Sequence, residues 1–242
     1  MVESLAWGAL AASSLVIGAL IGVARSWSGR VVGAVLGFGA GALISAVSID
    51  LAEEGIRLGG ADSVAVGLAL GALAYYGADR VIERPAHLRG SMPVPPQGSS
   101  SGAALALGAF LDGIPEQLVL GVGLVPGQGV SIGLLAAIFA SNLPEAVGSA
   151  TAMRQAGHSM GSVLRLWGGV AVICTLATVA GFAIADTASG ELLAVVNGFA
   201  AGALLVMLIN TMIPEAVAKA GKAAGLVTVL GFAVAAALSG ME

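Results

Sequence analysis

Apolar stretches of about 20 residues, each long enough to cross a bilayer as a helix, follow one another along almost the whole chain. Of the 242 residues, 57% are hydrophobic and only 10% are charged, and the mean hydropathy is +0.98. Because soluble domains carry about 25% charged residues, that class is excluded. The sequence predicts a single all-α integral membrane domain, 1–242, with eight transmembrane helices near residues 4–24, 31–54, 62–82, 101–124, 128–153, 162–185, 191–216 and 222–239.

The basic residues lie almost entirely on one side of this predicted domain. Nine of the ten fall in or beside the odd-numbered loops, and Arg57 falls in an even-numbered loop. Because Lys and Arg are enriched in cytoplasmic loops, the odd loops are predicted to face the cytoplasm and both termini the outside of the cell membrane. The first span follows Glu3 and precedes Arg25, the reverse of a secretory signal, and is therefore expected to be retained.

A linker and a short repeat divide the chain. Residues 84–101 are rich in Pro, Gly and Ser, which predicts a flexible cytoplasmic linker between spans 1–3, about 4–82, and spans 4–8, about 101–240. The segment Gly37-Phe-Gly-Ala-Gly-Ala-Leu43 recurs as Gly198-Phe-Ala-Ala-Gly-Ala-Leu204. Three-span units separated by two spans have opposite orientations, so we expect the inverted 3+2+3 arrangement that is common in secondary transporters. A chance match between Gly- and Ala-rich segments is the alternative.

Spans four and five carry carboxylates in the middle of apolar sequence, where each charge costs about 2.5 to 3.5 kcal/mol. Asp112 and Glu116 are four residues apart, as are Ser141 and Glu145, so each pair shares one helix face. A proline precedes each glutamate and removes one helical hydrogen bond, which bends the helix there. Because the two spans form a predicted hairpin, these oxygens and that of Asn142 are expected to converge on a cation site of hard oxygen ligands.

Structural interpretations accompany the functional ones. A membrane carboxyl group can be protonated and hydrogen-bonded in a packed interface, and hydroxyls and amides often bond between helices. The single cysteine, Cys174, is expected to be buried and inert, and His87 and His158 are expected to be solvated in cytoplasmic loops. Three acidic residues near span ends are interpreted as solvated residues at an entrance or exit: Asp50, Glu54 and Glu215.

The two central motifs resemble those of the ZIP family of divalent-metal transporters. Asp112-Gly-Ile-Pro-Glu-Gln117 is similar to the family's fourth-span motif, His-Asn-x-Pro-Glu-Gly. Ser141-Asn-Leu-Pro-Glu-Ala146 is similar to its fifth-span motif, His/Gln-Glu/Asp-x-Pro-Glu-Gly. Weaker similarities occur at Asp50-Leu-Ala-Glu-Glu54 in the second span and Thr211-Met-Ile-Pro-Glu215 in the seventh. The resemblance implies eight spans, outside termini, a long third loop and a metal centre between spans four and five.

The sequence departs from the family at several metal ligands. Asp112 stands at the family's histidine, Gly113 at its asparagine, and Thr178 where the sixth span often has glutamate. The resemblance therefore implies one metal site rather than the family's binuclear centre. Without imidazole, that site is expected to favour Mn²⁺, Mg²⁺, Ca²⁺ or Fe²⁺ over Zn²⁺. Its predicted ligands are Asp112, Glu116, Asn142 and Glu145, helped by Ser141.

These observations predict a transporter that carries a divalent cation into the cytoplasm by alternating access. The cation is the substrate, and no organic cofactor is expected. The alternatives are a ZIP-like membrane protein that has lost transport and acts as a partner or regulatory subunit, and a proton-linked carrier of another solute. An enzyme is not expected, because no nucleophile and base occur together. The expected partners are membrane lipid, the cation and a second copy of the chain in a homodimer, with no nucleic acid.

Overall fold

The computed structural model describes residues 1–25, 27–80, 113–124 and 131–241, and the backbone of 81–88. Within these ranges the regular structure is entirely helical, which confirms the predicted all-α class for the described part of the chain. The predicted linker 84–101 and the start of the fourth span lie largely outside the described residues. The helices are α1 (Val2–Ala24), α2 (Gly29–Ala46), α3 (Glu54–Leu88), α4 (113–122), α5 (Ile132–Gln155), α6 (Met160–Ala185), α7 (Gly190–Met207), α8 (Ile213–Ala220) and α9 (Ala223–Ser239).

Serine residues cap the start of four of these helices. In each case the hydroxyl oxygen accepts a hydrogen bond from the main-chain N–H three residues later, which satisfies one of the free amides of the first turn. Two glycines with positive φ lie in turns between helices, Gly157 at 90° and Gly221 at 63°. The serine caps explain where these helices begin, and the two glycines explain the turns that separate α5 from α6 and α8 from α9. The capping serines are Ser28 of α2, Ser131 of α5, Ser159 of α6 and Ser189 of α7.

Helices α2 and α7 are built alike. Each is 18 residues long, each is capped by a serine, and each runs without a break into a π-helical segment. The two π-helical segments are Val47–Glu53 after α2 and Leu208–Met212 after α7. The sequence offset that relates Gly37 to Gly198 also relates the two capping serines. It relates the first residues of the two helices and the first residues of the two π-helical segments as well. The short sequence repeat therefore coincides with a repeated local structure.

Five helical stretches in the described part of the chain are long and apolar enough to cross a membrane. The second of them is 52 residues long. Gly60, at φ 85° and ψ 162°, interrupts its helical geometry at the point where the sequence predicts the loop between spans two and three. Helix α9 is apolar but shorter. The five stretches are Val2–Ala24, Gly29–Arg80, Ile132–Gln155, Met160–Ala185 and Gly190–Ala220.

Glycines allow the long helices to approach at backbone distance. A Cβ atom added to Gly41 of α2 would overlap the carbonyl oxygen of Thr228 on α9, and one added to Gly202 of α7 would overlap that of Leu68 on α3. Small residues at such crossings permit close packing of apolar helices. Because Gly41 and Gly202 are equivalent in the sequence repeat, the α2–α9 and α7–α3 crossings use glycine at matching positions.

Helix α5 lies at the centre of the arrangement. It packs against α1, α2, α6 and α9, and the carbonyl of Leu143 lies against Gly18 of α1. Ala137, Ile138 and Ala146 on this helix are fully buried. The helix that carries the fifth-span motif is therefore held from several sides.

Candidate cation site

The structure brings the fourth-span and fifth-span motifs together. Ser141 of α5 donates a hydrogen bond from Oγ to the Glu116 carboxylate of α4, across 3.2 Å. The exposed fraction is 1% for Glu116 and 2% for Ser141. A carboxylate at such depth requires polar neighbours or a cation to offset the loss of its hydration.

A small cavity opens beside this pair. Its volume of about 30 Å³ exceeds the roughly 10–15 Å³ that one water needs, so it has room for a dehydrated metal ion or a water. Four predicted site residues contribute to it, and three of them are glutamates. The lining residues are Leu36 of α2, Glu116 of α4, Ser141 and Glu145 of α5, Met207 of α7, Thr211 and Met212 of the second π-helical segment, and Glu215 of α8.

Pro144 interrupts the hydrogen bonding of α5 next to the cavity. It is buried within the helix and has no amide hydrogen for the carbonyl of Ala140. Gly39 of α2 lies against that carbonyl, since a Cβ atom there would come within 2.6 Å of the oxygen. The predicted break is therefore present in the hydrogen bonding, and α2 covers the carbonyl that it releases.

Of the two other predicted ligands, Asn142 lies among the described residues and Asp112 does not. Asn142 is 1% exposed, and its Nδ2 has no hydrogen-bond partner among the described residues. It follows Ser141 in sequence but is not among the described residues that line the cavity. Asp112 lies outside the described residues, so its ligand role stays a prediction.

The three acidic residues predicted at an entrance or exit separate into two regions. Asp50, in the first π-helical segment, accepts hydrogen bonds from Ser131 Oγ at 2.9 Å and Ser239 Oγ at 3.2 Å. Glu54 pairs with Arg57 one turn away. Glu215 alone of the three lines the cavity, where it also pairs with Lys219.

A buried polar pair lies near the site and was missed by sequence reasoning. Thr178 Oγ1 of α6 donates a hydrogen bond to Gln117 Oε1 of α4 at 2.6 Å, and both residues are 0% exposed. Gln117 Nε2 has no partner among the described residues. On the same two helices, the Sγ atom of Cys174 lies against Gly113, within 2.7 Å of the position a Cβ atom would take. The buried location of Cys174 is as predicted.

The Thr178–Gln117 hydrogen bond leads to a stability prediction. Thr178→Val keeps the shape but leaves the buried Gln117 carbonyl without its donor, so we expect a loss of about 1–3 kcal/mol in the free energy of unfolding. Thr175→Val, one turn earlier on α6, removes only a bond to a helix carbonyl and should change stability by less than about 0.5 kcal/mol. Unfolding in mixed micelles measures both. Equal stability of the two variants would contradict the assignment.

Within the described residues, no three His, Cys, Asp or Glu side chains come close enough together to hold a metal ion. Among the described residues that line the cavity, Ser141 and Thr211 carry hydroxyl groups that could add oxygen ligands to the carboxylates. Thr211 could have been found from the sequence, because the repeat pairs it with Asp50.

No protein-family model matches this chain, and the comparison with curated proteins found no match.

Proposed function

We propose that this protein is a multi-pass membrane transporter that moves a divalent cation into the cytoplasm through the cavity between α4, α5 and α8. The observation that carries the proposal is that Glu116, Glu145 and Glu215, far apart in sequence, line one small cavity together with the hydroxyl-bearing Ser141 and Thr211. Carboxylate and hydroxyl oxygens suit hard cations such as Mn²⁺, Mg²⁺ and Ca²⁺. Carboxylates within a membrane carry a free-energy cost, and a bound cation would offset it.

The proposed architecture has eight membrane crossings in a 3+2+3 plan. The 52-residue stretch Gly29–Arg80 would be about 78 Å long as a straight helix, more than twice the roughly 30 Å of a hydrocarbon core. Its break at Gly60 supports two crossings. The matched caps, π-helical segments and glycine crossings of α2 and α7 support the three-helix repeat, and the loop charges support its inversion.

The orientation can be tested with cysteine labelling, because the native cysteine is buried. Thr187→Cys lies in the exposed turn between α6 and α7 and should react with an impermeant maleimide in intact cells. Ala156→Cys, in the exposed turn between α5 and α6, should react only after permeabilisation. The reverse pattern would contradict cytoplasmic odd loops.

In this orientation the cavity faces the cytoplasm. It extends from the buried Glu116 to Glu215, whose side chain is 44% exposed. Asp50 and its partner Ser131 lie at the start of α5, about 21 Å along the helix from Glu145. Asp50 therefore connects the outer ends of the first π-helical segment, α5 and α9 by hydrogen bonds. We expect its bonds to Ser131 and Ser239 to break when the cavity opens to the outside.

The resemblance to the ZIP family supports the same function and a single metal site. Thr178, at the position where that family often has glutamate, is hydrogen-bonded to Gln117. Because the side-chain carbonyl of Gln117 already accepts the hydrogen bond of Thr178, fewer oxygen ligands remain for a second metal. The ion is coordinated by Glu116 and Glu145, with Ser141, Thr211 and Asp112 as further oxygen donors.

Uptake by reconstituted vesicles tests the proposal. Vesicles that contain the purified protein should take up Mn²⁺ faster than protein-free vesicles, with Mg²⁺ and Ca²⁺ as competitors. The same uptake rate in both preparations would overturn transport. The departures from the ZIP motifs at Gly113 and Thr178 favour the second candidate, a ZIP-like membrane partner without transport. Binding of no divalent ion, with a stable partner protein co-purifying, would support it.

A further inference from the structure

An apolar groove runs along the outside of α1, α2 and α5, on the face of α5 that carries Pro144. Its volume is about 130 Å³, larger than the cation cavity, and the described side chains that line it are aliphatic or aromatic. Ile21 belongs to the end of α1, Val31 and Val35 to the start of α2, and Pro144 to α5. A groove of this kind in a membrane-spanning domain is filled by hydrocarbon.

A tryptophan and an arginine stand at the open end of the groove. Trp27 lines it, is 39% exposed, and donates a hydrogen bond from Nε1 to the Ile21 carbonyl at 3.3 Å. The guanidinium of Arg25 lies over the Trp27 ring, 5.7 Å from its centroid. Such tryptophans sit at the level of lipid headgroups, where one end of the ring is apolar and the other wet.

Two arginines are close in sequence to residues that line the groove. Arg25 and Arg30 are exposed, and neither forms an ion pair within the described part of the chain. By contrast, Arg57 and Lys219 are each paired with a glutamate. An apolar groove with two exposed arginines nearby, neither in an ion pair with a described residue, complements a molecule with a long hydrocarbon chain and a negatively charged head.

We propose that this groove binds one anionic phospholipid, with an acyl chain along Val31, Val35 and Pro144 and the headgroup phosphate at Arg25 and Arg30. The inference does not depend on the proposed transport of cations. It links the lipid to the candidate site by position, since Pro144 directly precedes Glu145 on α5. The bound lipid contacts α5 where its hydrogen bonding is interrupted.

Trp27 is a built-in probe for this lipid. The protein is reconstituted into vesicles of phosphatidylcholine and phosphatidylglycerol, and one of the two lipids is brominated on its acyl chains to quench nearby tryptophan fluorescence. The signal of Trp27 is the difference between the wild type and Trp27→Phe, because the contributions of Trp7 and the buried Trp167 are common to both proteins and cancel. The relative binding constant of the two lipids follows from quenching at several mole fractions.

Phosphatidylglycerol should be preferred by about fivefold or more, the effect of one or more surface cations on an anionic lipid. Arg25→Gln should reduce that preference at least about threefold, whereas Arg165→Gln, another exposed arginine, should leave it unchanged. Val35→Phe should reduce Trp27 quenching by both lipids, whereas Val172→Phe on the exposed face of α6 should not.

Equal quenching by the two lipids in the wild type would overturn the proposal, as would a preference that survives Arg25→Gln. Weak quenching of Trp27 by either lipid, together with a dimer in solution, would show that a second copy of the chain covers the groove and would also overturn it.

Discussion

Replacing Glu116 or Glu145 by glutamine should reduce the initial rate of Mn²⁺ uptake at least about tenfold, and the double variant should reach the background of protein-free vesicles. Each change removes one negative charge and one strong oxygen ligand from a small cavity but keeps the side-chain shape. Losses of about 10–100-fold follow even when only an outer partner of a metal ligand is removed, so the loss of a direct ligand should be at least as large.

Glu191→Gln is the matched control, because this exposed glutamate lies in the first turn of α7 outside the cavity. Its uptake should equal that of the wild type. The Glu116 and Glu145 variants should remain folded, since a neutral amide is less costly to bury than a charged carboxylate. Wild-type uptake in the folded double variant would contradict the proposed site.

The largest effect on stability is expected at Gly41. In Gly41→Ala the new Cβ atom overlaps the main-chain carbonyl of Thr228, and no rotamer change can relieve a clash between a Cβ atom and a backbone. Helices α2 and α9 must therefore move apart along their whole contact. We expect the free energy of unfolding in mixed micelles to fall by about 1–3 kcal/mol or more, as for an overpacked core.

Gly225→Ala on α9 provides the comparison, because a Cβ atom there meets open space. Alanine is the better helix former by about 1 kcal/mol, so this variant should be as stable as the wild type or more stable. Gly202→Ala, the repeat equivalent of Gly41, should lose stability like Gly41→Ala because it overlaps Leu68. Equal unfolding of Gly41→Ala and Gly225→Ala would mean that the close crossing is wrong.

Patterns within single segments of the sequence predicted the helices and the contact between the two motifs that carry Glu116 and Ser141. The length of an apolar run is a property of one segment, and the four-residue spacing within each motif fixes a helix face. The hairpin of two such helices then requires only a short connection. This is why the Glu116–Ser141 contact and the position of Glu145 at the same cavity could be expected before the structure was known.

Contacts between distant segments could not be predicted in the same way. Asp50 was predicted at an entrance or exit, but its hydrogen bonds to Ser131 and Ser239, 81 and 189 residues away in sequence, were not predicted. The pairing of Gln117 with Thr178 is likewise between helices. Such contacts depend on how helices pack around α5, which the pattern within each segment does not determine.

The central claim is that a divalent cation binds in the cavity beside Glu116 and Glu145. Anomalous X-ray scattering at the manganese edge from crystals grown with Mn²⁺ tests it most directly. The account predicts one strong peak in the cavity, about 2.0–2.6 Å from carboxylate oxygens of both glutamates. A cavity without a peak at saturating Mn²⁺, or a peak only at Asp50 or Glu54, would contradict it.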